Sequence, residues 1–176
     1  MYENRRIYRR TVNREDLVFF SVSYKDTEVY IGASQDLSRD ALFCIRGLRQ
    51  ELDDYIKKDE SFYKSLEPVE PRAFAPPIAR DMCEAAKKTG VGPMASVAGA
   101  FSQYLGKALL QRSPEILVEN GGDIFLSSAR ERTIAVYAGR SPLSMRIGIK
   151  VPPGSTLGIC TSAGTLGHSL SFGKAD

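Results

Sequence analysis

No apolar run in this sequence approaches the length that crosses a bilayer, and the charged start lacks the hydrophobic segment of a signal peptide. A membrane-spanning or exported protein is therefore not expected, and the chain reads as cytoplasmic. Histidine is nearly missing. His168 is the single one, and the three cysteines, Cys44, Cys83 and Cys160, share no short ligand spacing, so a structural zinc site has no donor set. An odd cysteine number also argues against a secreted disulfide framework and fits a reducing compartment. Charge of one sign is scarce as well: 24 Lys and Arg stand against 21 Asp and Glu, a formal net charge of +3. A nucleic-acid footprint would have to be local. Only Arg5, Arg6, Arg9, Arg10 and Arg14 around Tyr2 and Tyr8 offer one, and a solvated first strand explains the same pattern, so nucleic acid is not an expected partner. There is no Walker loop, no G-x-G-x-x-G and no nucleophile elbow, which leaves a Ser162, His168, Asp123 triad without motif support.

What is present is a globular pattern of 176 residues, 43% of them hydrophobic, enough for one domain with a sizeable core. Leu17 to Tyr24 and Glu28 to Ala33 are rich in β-branched and aromatic residues and flank Lys25-Asp26-Thr27, a hairpin signal. Leu37, Ala41, Leu42, Ile45, Leu48, Leu52, Tyr55 and Ile56 then recur at helical spacing, with Ser34 or Asp36 available as a cap and lysines at the end. Pro68, Pro71, Pro76 and Pro77 break any regular element in a surface crossing over residues 65–77. A second helix should start at Pro77 and stop at Gly90, carrying Ile78, Met82, Ala85 and Ala86 on one side. From Met94 to Gln111 the pattern is helical again, with small residues clustered near its start. The remainder reads as strands at 115–118, 124–127, 133–138, 146–151 and 158–161. Strands dominate the second half and helices come inserted between them, which predicts an α+β fold with a mixed or antiparallel sheet packed against helices, and a single domain over residues 1–176.

Three glycine-rich segments are the candidate chemistry. Asn120-Gly121-Gly122-Asp123 lies between two apolar runs. It is a good type I′ hairpin turn, and its glycines would also let a planar or phosphorylated ligand meet the backbone, with Asn120 or Asp123 supplying polar contacts. Thr161-Ser162-Ala163-Gly164-Thr165-Leu166-Gly167-His168-Ser169 packs hydroxyls, glycines and the histidine into nine residues. Backbone N–H groups there could form an anion nest with Thr161, Ser162, Gly164 and Thr165, and His168 could carry a proton, while a plain Ser/Thr-rich turn accounts for the same composition. Gly90-Val91-Gly92-Pro93 opens a helix whose N-terminus could attract an anion near Gly92 and Ser96; tight packing is the better account of the small residues in the helix interior, and the loop itself remains a ligand site.

Val91-Gly92-Pro93-Met94-Ala95-Ser96-Val97-Ala98-Gly99-Ala100, then Val118-Glu119-Asn120-Gly121-Gly122-Asp123-Ile124, then Cys160-Thr161-Ser162-Ala163-Gly164, in this order and at these intervals, resemble the ApbE superfamily. The similarity runs from about Gly90 to the end and is closest to the uncharacterised family of small ApbE-like proteins. ApbE enzymes are FAD:protein FMN transferases that use magnesium. The resemblance therefore implies an ApbE-like fold, a flavin (FAD or FMN), nucleotide or other phosphorylated small ligand, Mg2+ as metal, and phosphoryl or FMN transfer as the reaction class, with Asp123 and His168 as catalytic residues and Gly92, Ser96, Asn120, Gly121, Gly122, Thr161, Ser162, Gly164 and Thr165 at the ligand. Small residues around Ala98 stand where the family carries a lysine, and His168 is only a loose counterpart of its His-x-x-Asp-Pro segment. The sequence ends at Asp176, ahead of the residues that bind metal in the family. No metal ligand is assigned, and a C-terminal truncation is expected. The alternative on the same fold is a non-catalytic module for homo-oligomerisation or sensing.

Overall fold

The computed structural model describes residues 16–160; the arginine-rich N-terminal segment and residues 161–176 lie outside the described residues. The element order is β1 (Val18–Tyr24), β2 (Thr27–Ala33), α1 (Ser38–Ile56), α2 (Glu60–Lys64), α3 (Pro77–Thr89), α4 (Val97–Leu109), β3 (Ile116–Asn120), β4 (Asp123–Ser128), β5 (Arg132–Ala135), β6 (Gly148–Val151) and β7 (Ser155–Ile159). Five strands form one open sheet in the order β1-β2-β3-β4-β7, every neighbouring pair antiparallel, while β5 and β6 pair with each other as a separate ribbon. The fold is α+β, and of the two sheet types expected the antiparallel one is realised.

The first hairpin and the last strands share this sheet, because Ile31 of β2 lies opposite Val118 of β3. Alternation in these strands sends Val22, Val29, Ile31, Ala33, Ile116, Val118 and Phe125 to one face, where α1 and α4 cover them with Ala41, Ile45, Leu105 and Leu109. A second cluster, Leu52, Tyr55, Phe62, Ile78, Met82, Cys83 and Phe101, lies where the end of α1 meets α2, α3 and α4.

Several local expectations needed adjusting. Helix α1 takes Leu37 as its N-cap with no side-chain cap bond, while Asp36 accepts the backbone N–H of Ser38 at 2.8 Å. No lysine lies in its last turn; Lys57 is the C-cap itself. The short α2 was not legible as a helix, being five residues nucleated by the buried Asp59, whose carboxylate accepts from Ser61 Oγ (2.6 Å), Tyr55 Oη (3.0 Å) and Phe62 N (3.4 Å). Residues 65–76 are irregular, and Tyr55 Oη accepts from Arg72 N (3.1 Å), tying this crossing to α1. Helix α3 starts on Pro77 and ends at Gly90, whose φ of 73° is the left-handed C-cap. The helix expected from Met94 begins as a 3-10 turn, Pro93–Ser96, and becomes α-helical only at Val97. Strand β7 lies three residues earlier than expected at its start, since Gly154, with φ 75°, already closes the turn.

Candidate functional site

The β3–β4 turn sits on the N-terminal half of α4. Gly121 and Gly122 both hold positive φ, 63° and 107°, as a two-residue type I′ connection demands. Three hydrogen bonds seat the turn: Asn120 Nδ2 donates to the Ala98 carbonyl (3.2 Å), Ser102 Oγ donates to the Asp123 carbonyl (3.0 Å), and Gly122 N donates to Glu119 Oε1 (2.8 Å). The last of these places a carboxylate of the chain itself where an anion would bind the turn. Deeper along α4, Gly106 lies against Phe125; a Cβ there would come within 2.1 Å of the ring. The absent side chain lets helix and sheet approach closely.

Beside this seat is a cleft of about 510 Å³. Its walls are α3 with Asp81, Met82, Ala85 and Thr89, α4 and its 3-10 lead with Ala95, Ser96, Gly99, Ala100, Gln103 and Tyr104, and the sheet end with Asp123, Ile124, Phe125, Gly158, Ile159 and Cys160. The lining is mainly apolar, with a few polar groups converging on it, the usual composition of a small-molecule site. Gly99 opens it toward the sheet, for a Cβ on that residue would lie 4.0 Å from the Asp123 carboxyl carbon.

Among the described residues no donor makes a hydrogen bond to the Asp123 carboxylate. Burial, and then the charge of Glu119, raise its pKa above the ordinary carboxylate range. Across the cleft Tyr104 Oη donates to Asp81 Oδ2 at 2.9 Å, and its phenol is pushed up to about 12, by burial first and then by that carboxylate.

Of the residues singled out in the sequence, Asp123 and Ser96 line the cleft. Asn120, Gly121 and Gly122 form its neighbouring turn without lining it. Gly92 is elsewhere: a Cβ there would meet the Ser65 carbonyl oxygen at 1.9 Å, so its missing side chain is explained by backbone packing. Thr161, Ser162, Gly164, Thr165 and His168 lie outside the described residues. The structure adds Asp81, Gln103 and Tyr104, and it places Gly99, from the small-residue start of α4, in the same cleft. Asp81 and Tyr104 are 23 residues apart on different helices, and no local pattern joins them. Among the described residues no group of three or more His, Cys, Asp or Glu side chains converges as a metal site would, and no helix is long and apolar enough to cross a membrane.

A family model described as "AbpE bacteria" matches residues 9–176. Relatives include a UPF0280 protein of Methanothermobacter thermautotrophicus, 45% identical over 133 residues that cover 75% of this chain and 52% of the relative. Another, from Archaeoglobus fulgidus, is 40% identical over 159 residues, 89% of this chain and 65% of the relative. A third, from Methanocella arvoryzae, is 42% identical over 139 residues, 78% and 55% respectively. The chain thus spans between about half and two thirds of the length of these relatives. With nearly its whole length matched by the family model, the chain belongs to the ApbE-like family described as "AbpE bacteria".

Proposed function

We propose that the protein binds a planar, phosphorylated small molecule, a flavin or a nucleotide, in the cleft between α3, α4 and the sheet end. The observation that carries this reading is Asp123: a half-buried carboxylate with no donor among the described residues, opposite a glycine, in an apolar cleft of about 510 Å³. A fold gains nothing by holding a charge in that way, whereas perturbed carboxylates in clefts are frequent at functional sites. The family membership supports a flavin as the first ligand to test, and phosphoryl or FMN transfer as the reaction class. Asp123 is suited to accept a proton or a hydrogen bond from a bound ligand, and Ser96, Gln103 and Tyr104 can orient it. Among the described residues no three acidic, histidine or cysteine side chains converge, and no magnesium ligand is assigned in the cleft. No step is routed through a metal here.

The test is a thermal-shift series with FAD, FMN and ATP on this chain and on Asp123→Asn. A ligand that binds only the native state, present at 100 times its Kd, stabilises by about 2.7 kcal/mol. Stabilisation by one of them that shrinks in the variant supports the site; no shift from any of them removes it. The β5–β6 ribbon favours a second reading, oligomerisation. Leu143 and Ile147 in the connection between its strands and Ile149 on β6 are 53%, 48% and 44% exposed, unusually so for large apolar side chains close together in sequence. Light scattering across a concentration series checks it: a mass that grows with concentration supports self-association, and a constant monomer mass refutes it.

A further inference from the structure

We propose that this cleft reads the phosphate-free, hydrogen-bond-donating end of its ligand, an N–H edge of a planar ring, with Asp123 as the acceptor; the inference rests on the ligand-binding reading above. Its basis is an inventory of side-chain donors in the walls. Among the described residues no lysine, arginine or histidine lines the cleft. Each hydroxyl among the described lining residues already donates within the protein: Thr89 Oγ1 to the Ala85 carbonyl (2.9 Å), Ser96 Oγ to the Pro93 carbonyl (2.9 Å), and Tyr104 Oη to Asp81 (2.9 Å). What these groups still offer a ligand is lone pairs. Gln103 is the one lining side chain whose N–H groups have no protein acceptor among the described residues. Asp81 and Asp123 add two carboxylates on opposite walls.

Against the described side chains, a phosphate entering this space would lose its water and face two like charges with a single amide to compensate. A ring edge carrying N–H donors meets the reverse: acceptors already ordered, and an unpartnered carboxylate that gains a charge-assisted hydrogen bond. The turn that looked suited to phosphate is closed to it as well, and an acceptor stands next to the helix start. Glu119 occupies the Gly122 N–H, and the Ser65 carbonyl fills the space beside Gly92. The phosphates of a bound nucleotide or flavin therefore project away from these walls, and the affinity of the cleft lies in the ring.

The experiment compares FMN, riboflavin and 3-methylriboflavin, whose imide N–H is replaced by a methyl group, by calorimetric titration of the chain and of Asp123→Asn. Riboflavin is expected to bind within about threefold of FMN, and both the methylated ring and the Asp123→Asn variant to lose about tenfold, the size of one charge-assisted hydrogen bond. Asp123→Asn keeps the shape of the side chain and is expected to be the more thermally stable protein, so lost binding would not reflect misfolding. If FMN binds but riboflavin binds about 100-fold more weakly, or if the methyl group and the variant change nothing, the inference fails while the ligand-binding reading stands. If neither flavin binds at all, that reading fails for flavins and this inference falls with it.

Discussion

Asp123 has an ordinary carboxylate pKa in the unfolded chain and a raised one in the fold, first because it is half-buried and second because Glu119 is near. Between those two values the native state binds more protons than the unfolded state, so this residue makes stability fall as pH rises through that window. The penalty is complete above the folded-state pKa and absent below the unfolded one. Asp123→Asn should therefore raise Tm at neutral pH, and the gain should vanish once the pH is below the ordinary carboxylate range. Calorimetric melts at the two pH values check this; a lower Tm for the variant at neutral pH would mean that a stabilising partner holds the charge. Gly122 is a second residue with a sharp expectation. Its φ of 107° is hostile to any L side chain, and Gly122→Ala should cost about 1–2 kcal/mol in urea unfolding.

Helix α4 carries two glycines whose replacements should act in opposite directions. Alanine is preferred over glycine in a helix interior by about 1 kcal/mol. At Gly99 the new methyl group would enter the cleft at ordinary contact distance from Asp123, so Gly99→Ala should gain up to that amount in stability while weakening ligand binding. At Gly106 the same change places Cβ 2.1 Å from Phe125, and overpacking at that level costs about 1–3 kcal/mol, which reverses the sign. Chemical denaturation of the two variants side by side separates a glycine that shapes a site from one that lets helix and sheet approach. Equal and opposite shifts from those stated would show that the cleft face of α4 had been misplaced. The distinction is invisible in the sequence, where both positions are glycines within one helical pattern.

At the scale of the whole molecule, one charged cluster joins the β5–β6 ribbon to the main sheet. Glu115, before β3, contacts Arg132 of β5 and accepts from Ser128 Oγ of β4 (2.7 Å), while Arg132 also pairs with Asp16 (2.8 Å). Burial pushes the Glu115 pKa up, but Arg132 and Ser128 outweigh it and hold the carboxyl below its usual range. Its stabilisation is thus present above the unfolded-state value and is lost as pH falls through the lower, folded one. Arg132→Ala leaves the buried Glu115 without its principal cation and should cost about 2 kcal/mol at neutral pH, less in acid, as read from denaturation midpoints. An unchanged midpoint would show the ribbon is held by other contacts.

Much of this architecture was legible from residue order. Alternation in Leu17–Ala33, the helical recurrence from Leu37, Pro77 and Gly90 at the two ends of α3, and the paired glycines at 121 and 122 each report a local backbone preference, which the chain states residue by residue. Helix α2 was not, since five residues are too few to show a period and the Asp59 that caps them is held by Tyr55 of α1 and Arg72 of the crossing. The site divides along the same line. The sequence alone determined the order and kind of elements, the tight turn before Asp123 and the likeness to one family. Only the tertiary structure decided that Asp81, Tyr104 and Asp123 share a cleft, that Ser65 packs against Gly92 and Glu119 takes the Gly122 N–H, and that the hydroxyls of the described lining residues are spent as donors. The reason is physical: a turn or a helix is chosen by neighbours along the chain, whereas which lone pair or proton remains available to a ligand is settled only when distant segments have packed and satisfied one another.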